Sequence, residues 1–514
     1  MANDKRYTWT VSVIALIDKD DKENGPIIEA AYSEFEESIT FVKNPNKDIK
    51  FVIYKYDLKQ EKATIIKSRV NRNKYVLEIK EEHDLPYTAF YNPPYDHLVN
   101  FFAAHVSKKQ IEDNEDHKHF FIVWGHAGGL GFMRSSIKNL LNNEVPKDSR
   151  ELALVENEMD KKVDEIFVAN HLISQLSLKR NVQFDRPDFI NAPEKNIAAN
   201  LLNNRQIVQR SNFSKIISAA EMAEIIKQGL AEDHFSTTPI IDNIKTGQKI
   251  HTMLCLSCYV DMIETMNALK DIVDVYIAPQ TMITFFGYNY KKLFKLLSKT
   301  PGALPKEIVT NITNYYLTKF IEPPVAKMVQ KDDTIGIIDY KRSVSFSGMH
   351  LSICNDLLKS IQSFVVFIED LGKEITPDKL IPILKNARAS CRATSIEGNM
   401  DTGIIDYENF VTEFFLRIDP GIRNRAKIRR FYYPGKHISE YYPGNLGSSL
   451  FVDDDLGKNF ESQSPGSFSI FLPDLKVQDI ERELLQMYSD MTNISNNFVL
   501  FTRWDKIIKM VLTQ

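Results

Sequence analysis

Two positions in this sequence carry residue types that could do covalent chemistry together. His126 sits in Gly125-His126-Ala127-Gly128-Gly129, directly after the apolar run Phe120-Phe121-Ile122-Val123-Trp124. Cys258 follows Ser257 at the end of a second apolar run, Ile250 to Leu256. A thiolate attacks a carbonyl carbon best when a nearby imidazole manages its proton. The oxyanion that forms needs two aimed donors, commonly backbone N–H groups. Small residues such as Ala127, Gly128 and Gly129 let a substrate approach the backbone closely. A Cys at a strand-to-helix turn has its own N–H and the positive end of a helix nearby, and both favour negative charge. Taken singly, neither residue is decisive. The chain has 11 His, and a lone Cys is most often a small buried hydrophobe.

The elements around these residues can be read from periodicity. Trp9 to Ile17 is β-branched, aromatic and short, as a buried strand should be. A helix is expected around Ala30 to Val42, a strand over Ile49 to Tyr56 and a small hairpin over Thr64 to Leu77. An apolar-periodic helix should run from Tyr95 to Val106, before the strand Phe120 to Trp124. Ser218-Ala219-Ala220-Glu221 reads as a capping box opening a helix to about Gln228. The strand Ile250 to Leu256, a helix from Asp261 to Lys270 and a strand from Val275 to Ala278 follow. Strands alternating with helices predict an α/β fold, a mainly parallel sheet with helices on both faces. In such sheets ligands bind at the C-terminal strand ends. His126 and Cys258 both lie just past such ends, which predicts one shared rim.

The 514 residues are more than one ordinary core fills. Residues 1–300 read as one α/β domain. Within them the polar stretch 142–212 is a long insertion, either a mobile functional loop or a surface excursion without a role. Residues 301–514 read as mostly helical, with Pro301, Pro305 and Pro323-Pro324 as punctuation. A late strand at 468–472 is expected to pack back on the first part, and a helix over Asp505 to Leu512 to close the chain.

Composition excludes several classes. Hydrophobic residues make up 43% and charged residues 26%, with a formal net charge of −4. That is an ordinary globular balance, without the clustered basic surface that nucleic acid requires. The basic run Arg423 to Arg430 is short and reads as a solvated helix face. Val11 to Ile17, the most apolar early stretch, is far shorter than the roughly 20 residues a bilayer requires. The acidic run that follows it does not suit a secretory signal. No membrane span and a cytoplasmic location are therefore expected. Four Cys are too few for a disulfide framework. Cys255-Leu256-Ser257-Cys258 is formally C-x-x-C, but zinc would need a second pair of ligands. A redox role would predict a reversible disulfide between the two.

The motifs, taken in order, resemble the clostripain family of cysteine peptidases, in the clan of the caspases. That family has a strand ending Trp-Asn/Asp-His-Gly-x-Gly, which Trp124-Gly125-His126-Ala127-Gly128-Gly129 resembles. Its second block is Asp-Ala-Cys-Leu-Met with a Glu six residues past the Cys, later Gly-Trp-x-Tyr. Here the counterparts are Leu256-Ser257-Cys258-Tyr259-Val260, Glu264 and Gly287-Tyr288-Asn289-Tyr290. Trp9 to Asp18 resembles the first strand and its Asp, Leu85 to Val106 the segment before the His strand, and Gly466 to Pro473 a late strand. The resemblance implies a caspase-like fold and a cysteine endopeptidase. Its catalytic pair would be His126 and Cys258, with an oxyanion hole from the N–H groups of Ala127 or Gly128 and Cys258. Counting back from Glu264 chooses Cys258 over Cys255, which is left inside a strand. It further implies that the insertion 142–212 occupies the place of a maturation loop.

Two departures bear on substrate choice. The resemblance assigns a preference for Arg or Lys to acidic pocket groups, one of them two residues before the nucleophile. Here that residue is Leu256, and the loop Gln280 to Phe286 contains no carboxylate. An unpaired buried cation costs several kcal/mol. A pocket of Leu256, Phe285, Phe286 and Tyr288 is therefore expected to take a hydrophobic residue such as Leu. The expected partner is a protein substrate, and the resemblance extends to bacterial defence proteases that activate gasdermin-like pore-forming proteins. The alternative is a catalytically silent member that binds peptides or scaffolds a complex. No cofactor or metal is assigned. Asp453-Asp454-Asp455 could hold calcium, as in calcium-dependent relatives, but reads as a solvated acidic turn. Gly403 to Phe410 echoes half an EF-hand without its carboxylates and should be a turn followed by an amphipathic helix. His117-Lys118-His119 reads as an ordinary strand start.

Overall fold

The structure is a computed structural model, and it describes residues 9–17, 25–42, 49–91, 93–107, 117–125, 131–133, 217–231, 249–257, 260–279, 289–299, 307–308, 346–391, 393–396, 400–425, 441–444, 468–472 and 498–512. The strands are β1 (Trp9–Ile17), β2 (Ile49–Asp57), β3 (Lys62–Asn71), β4 (Lys74–Asp84) and β5 (Lys118–Trp124). The short β6 (Gly131–Phe132) and β7 (Ile217–Ser218) follow, then β8 (Ile250–Leu256), β9 (Val273–Pro279) and β10 (Phe346–His350). The last are β11 (Ala393–Ile396), β12 (Met400–Asp406), β13 (Tyr441–Gly444) and β14 (Ser469–Phe471). The helices are α1 (Gly25–Thr40), α2 (Tyr87–Phe90), α3 (Asp96–Phe101), α4 (Ala219–Gly229), α5 (Ile263–Leu269) and α6 (Tyr290–Lys299). Past residue 350 come α7 (Cys354–Glu374), α8 (Pro377–Ser390), α9 (Tyr407–Arg417), α10 (Pro420–Arg425), α11 (Phe498–Thr502) and α12 (Asp505–Leu512).

Nine strands form one sheet in the order β13-β10-β9-β8-β5-β1-β2-β3-β4. The central run β9, β8, β5, β1 and β2 is parallel. Antiparallel pairs close each edge, β3 with β4 on one side and β10 with β13 on the other. This is the expected α/β architecture. All nine residues of β1 are buried, as a central parallel strand covered on both faces must be. Its period of two sorts the core into two layers. Trp9, Val11, Val13, Ala15 and Ile17 face a cluster completed by α1 and α6. Ile14 and Leu16 face the larger cluster, which contains residues from α3, α4, α5, α7, α9 and α12.

Several expectations shift in detail. The hairpin is longer than Thr64 to Leu77, spanning Lys62 to Asp84. Its outer half alternates charges rather than apolar residues, so periodicity could not find it; ion pairs such as Lys62–Glu82 hold it across the strands. Arg72 and Asn73 turn it with φ of 45° and 60°, the backbone of a tight two-residue hairpin loop. The stretch before the EF-hand-like helix is strand β12, not a turn. It pairs with β11 and β14 in a three-stranded sheet, and Asp406 then caps α9 through the Asn409 N–H at 2.9 Å. The helix expected over Tyr95 to Val106 is α3 followed by a π turn over Phe102–Val106. The capping box at Ser218 is formed as read, with Ser218 Oγ accepting from Glu221 N at 3.1 Å and Glu221 returning the contact at 2.8 Å.

Residues past 300 contribute strands as well as helices to the main sheet, since β10 and β13 extend it beyond β9. Among the described residues, one helix, Leu351–Glu374, is long and apolar enough to cross a membrane by length and composition. Leu357, Ile361, Phe364, Val365 and Ile368 on this helix are buried within the larger core cluster, which accounts for its apolarity as a core helix.

Candidate active site

The two candidate stems are neighbours. β5 and β8 are parallel and in register, with Val123 opposite Cys255 and Trp124 opposite Leu256. Both strands therefore leave the sheet at the same rim. Two hydrogen bonds cross between them just past the last pair. The Gly125 N–H donates to the Leu256 carbonyl at 3.4 Å. The Ser257 hydroxyl donates to the Gly125 carbonyl at 2.9 Å. Both residues are buried.

Gly125 has a φ of +147°, a region that L side chains rarely adopt. A Cβ there would lie 3.1 Å from Leu16 Cβ on β1. Glycine is thus demanded twice, by conformation and by the close approach of β1.

His126, Ala127, Gly128 and Cys258 lie outside the described residues, as do Phe285, Phe286 and Tyr288. So do Asp18, the whole of the insertion 142–212, and Asp453 to Asp455. Of the named pocket residues, Leu256 is described. It ends β8 with its side chain buried in the core layer that also holds Trp124, Tyr32 and Ile17. Described residues on either side of the insertion in sequence form a short antiparallel pair, Phe132 with Ile217 and Gly131 with Ser218.

Neither a family model nor a curated protein matches the sequence. Solved structures do. A secreted C11 cysteine protease from Bacteroides thetaiotaomicron, in complex with an irreversible peptide inhibitor, matches 97% of this chain and 99% of its own with a TM-score of 0.50 at 11% identity. An inactive zymogen C11 protease from Parabacteroides distasonis matches 95% of this chain and 97% of its own, with a TM-score of 0.48 at 11% identity. The chain has the C11, or clostripain-family, cysteine-protease fold. The likeness to the first structure spans the C-terminal half as well as the first 300 residues.

Within this C11 fold, the segment after position 258 is anchored from two sides. From β9, the Tyr276 hydroxyl donates to the Val260 carbonyl at 2.7 Å. The Asp261 N–H reaches the Pro279 carbonyl at 3.2 Å. From the other side, β14 docks: the Ser469 N–H donates to the Asp261 carbonyl at 2.9 Å. The Phe471 N–H donates to buried Glu264 Oε1 at 2.9 Å. β14 is held in turn by Trp504, whose indole N–H donates to the Phe471 carbonyl at 2.8 Å. The guanidinium of buried Arg388 donates to the Leu472 carbonyl. Glu264 and the late strand are each visible in the sequence. Their contact is not, and nothing local could announce a bond between residues 207 apart.

Cys255 is fully buried in β8. Burial holds its thiol well above the ordinary range, with a contact from Tyr276 opposing this only in part. A sulfur kept protonated and away from solvent suits neither the redox nor the zinc reading of Cys255-Leu256-Ser257-Cys258. Among the described residues, no group of three or more His, Cys, Asp or Glu could hold a metal ion. His117 and His119 instead meet ring edge to ring face, 4.5 Å between centroids.

Proposed function

We propose that the protein is a cysteine endopeptidase in which Cys258 is the nucleophile and His126 its acid–base partner. The observation that carries this reading is the register of β5 and β8. Trp124 and Leu256 face each other, and in sequence His126 and Cys258 each follow two residues later. Neighbouring strands are about 4.8 Å apart, so an imidazole and a thiol starting from these two ends begin within reach. The C11 fold supports the same assignment.

In this mechanism the Cys258 thiolate adds to the scissile carbonyl carbon. The N–H groups of Ala127 or Gly128 and of Cys258 receive the oxyanion. The C–N bond breaks as His126 gives its proton to the leaving amine, and a thioester remains. His126 then takes a proton from water, whose oxygen attacks the thioester carbonyl. The carboxylate product leaves and the thiolate is restored.

The pocket before the cut bond is assigned to Leu256, Phe285, Phe286 and Tyr288, and the preferred residue there is hydrophobic, such as Leu. The support is chemical: position 256 and the segment 280–286 offer no carboxylate to compensate a buried cation. The substrate is a protein cut at few sites. A gasdermin-like pore-forming partner in a cytoplasmic bacterial defence system is put forward on the family resemblance alone.

The test is a diverse peptide pool, with cleavage sites read by mass spectrometry and Cys258→Ala as control. Cuts after apolar residues are expected, absent in the variant. An irreversible thiol-directed peptide inhibitor should attach to Cys258. Cuts after Arg or Lys would overturn the pocket assignment, and cuts persisting in Cys258→Ala would overturn the nucleophile.

A further inference from the structure

We infer that Ser257 is a positioning residue for the proposed reaction: its hydroxyl, bonded to the Gly125 carbonyl, fixes the separation of the two strand ends that carry His126 and Cys258. The inference rests on the peptidase reading and adds to it a residue outside the dyad.

The geometry is specific. Ser257 immediately precedes Cys258, and Gly125 immediately precedes His126. The Ser257 Oγ–H donates to the Gly125 carbonyl at 2.9 Å. The Gly125 N–H donates to the Leu256 carbonyl at 3.4 Å. The second of these is long for a hydrogen bond, whose usual span for N–H···O is roughly 2.7–3.2 Å. The backbone ladder is therefore weakening at the rim, and the serine hydroxyl supplies the shorter contact across it. Ser257 is 1% exposed, so water cannot replace its bond cheaply. Gly125 runs close to β1, since a Cβ built on it would lie 3.1 Å from Leu16 Cβ, and its carbonyl is held by Ser257.

A thiol and an imidazole on adjacent strand ends exchange a proton only at hydrogen-bond distance. Misplacement by about 1 Å is enough to cost on the order of 100-fold in rate. Ser257 contacts neither substrate nor reacting atoms in this account. It acts by holding the stems of the two residues that do.

The experiment compares wild type, Ser257→Ala and Ser257→Thr on a peptide cleaved in the pool. It also measures the pH dependence of Cys258 alkylation by iodoacetamide, a probe that needs no substrate pocket. Ser257→Ala should lower kcat roughly 10- to 100-fold with KM within about twofold. Its alkylation midpoint should move to higher pH, since a thiolate farther from its imidazolium is less stabilised. Ser257→Thr, which keeps the hydroxyl, should restore both. Unchanged kcat and midpoint in Ser257→Ala would overturn the inference. So would a fall in kcat that tracks a lower Tm with no shift in the midpoint and no rescue by threonine, since that marks a purely structural serine. If wild type itself shows no cleavage and no Cys258-directed labelling by the peptide inhibitor, the peptidase reading fails first, and the positioning role with it.

Discussion

β5 and β8 bear polar and titratable residues at both ends, and the two ends are built for opposite purposes. At the N-terminal end, Lys118 of β5 and His251 of β8 gather beside Trp9 of β1. The His251 ring meets the Trp9 ring edge-on at 5.3 Å, and the Lys118 ammonium sits 5.4 Å over the Trp9 face. His251 Nδ1 lies 2.8 Å from the Thr252 hydroxyl. Burial, then the charges of Lys118 and His350, lower the His251 pKa to about 4. This imidazole is neutral at ordinary pH and acts as part of the wall. At the C-terminal end, past Trp124 and Leu256, there is a glycine at φ +147° and a serine staple, with His126 and Cys258 the next residues in sequence. Residue type does not separate His126, proposed as catalytic, from the packed His251. Position relative to the strand direction does, because crevices of parallel sheets open at the carboxyl ends.

The contrast can be broken most directly at Gly125. In Gly125→Ala, the backbone is strained and the new Cβ lies 3.1 Å from Leu16 Cβ. A loss of about 2–4 kcal/mol is expected, read as a lower urea midpoint at unchanged slope. An unchanged midpoint would mean that the rim backbone is not locked, and the distinction between the two ends would collapse.

Glu264 offers a smaller but sharper test. In Glu264→Ala, the Phe471 N–H loses its buried acceptor, for a cost of about 1–3 kcal/mol. Glu264→Gln retains an Oε1 acceptor and should recover most of it. Equal losses in both variants would mean that the carboxylate does something other than dock β14.

The smallest effect concerns the packed end. A histidine whose folded pKa is depressed binds protons less readily when folded than when unfolded. Its contribution is therefore lost as pH falls below the unfolded value of about 6.5 towards about 4. His251→Phe removes that dependence, so the Tm difference between pH 7 and pH 5 should narrow relative to wild type. If the gap is the same, His251 is not held neutral by its surroundings. Peptide cleavage at pH 7 should be unchanged in this variant, unlike in Ser257→Ala.

Much of this fold was legible before any coordinates. The central strands 9–17 and 250–256 and the closing helix 505–512 fall where the apolar pattern puts them. The Ser218 cap is formed as its spacing implies. The misses share a cause. The outer half of the β3–β4 hairpin is charged, β10 and β13 are short, and β12 breaks its apolar residues with Asp401, Thr402 and Gly403, so none carries a period clear enough to read. At the site, the strand ends imply one shared rim for His126 and Cys258, while the direct pairing of β5 with β8 is not written in either segment. The bond between Ser257 and Gly125 has no signature in either motif.

Local chemistry in the chain was enough to decide which segments become strands and helices, which faces are buried, and which histidine and cysteine stand at strand ends. Those properties depend on residues a few positions apart, and a linear pattern records them. Folding alone could decide that Ser257 would bond Gly125 across 132 residues, that Glu264 would receive β14 across 207, and that Leu16 would crowd a Cβ at Gly125. A hydrogen bond or steric contact between distant segments has no signature in either segment, because each partner is chemically complete without the other until the core brings them together.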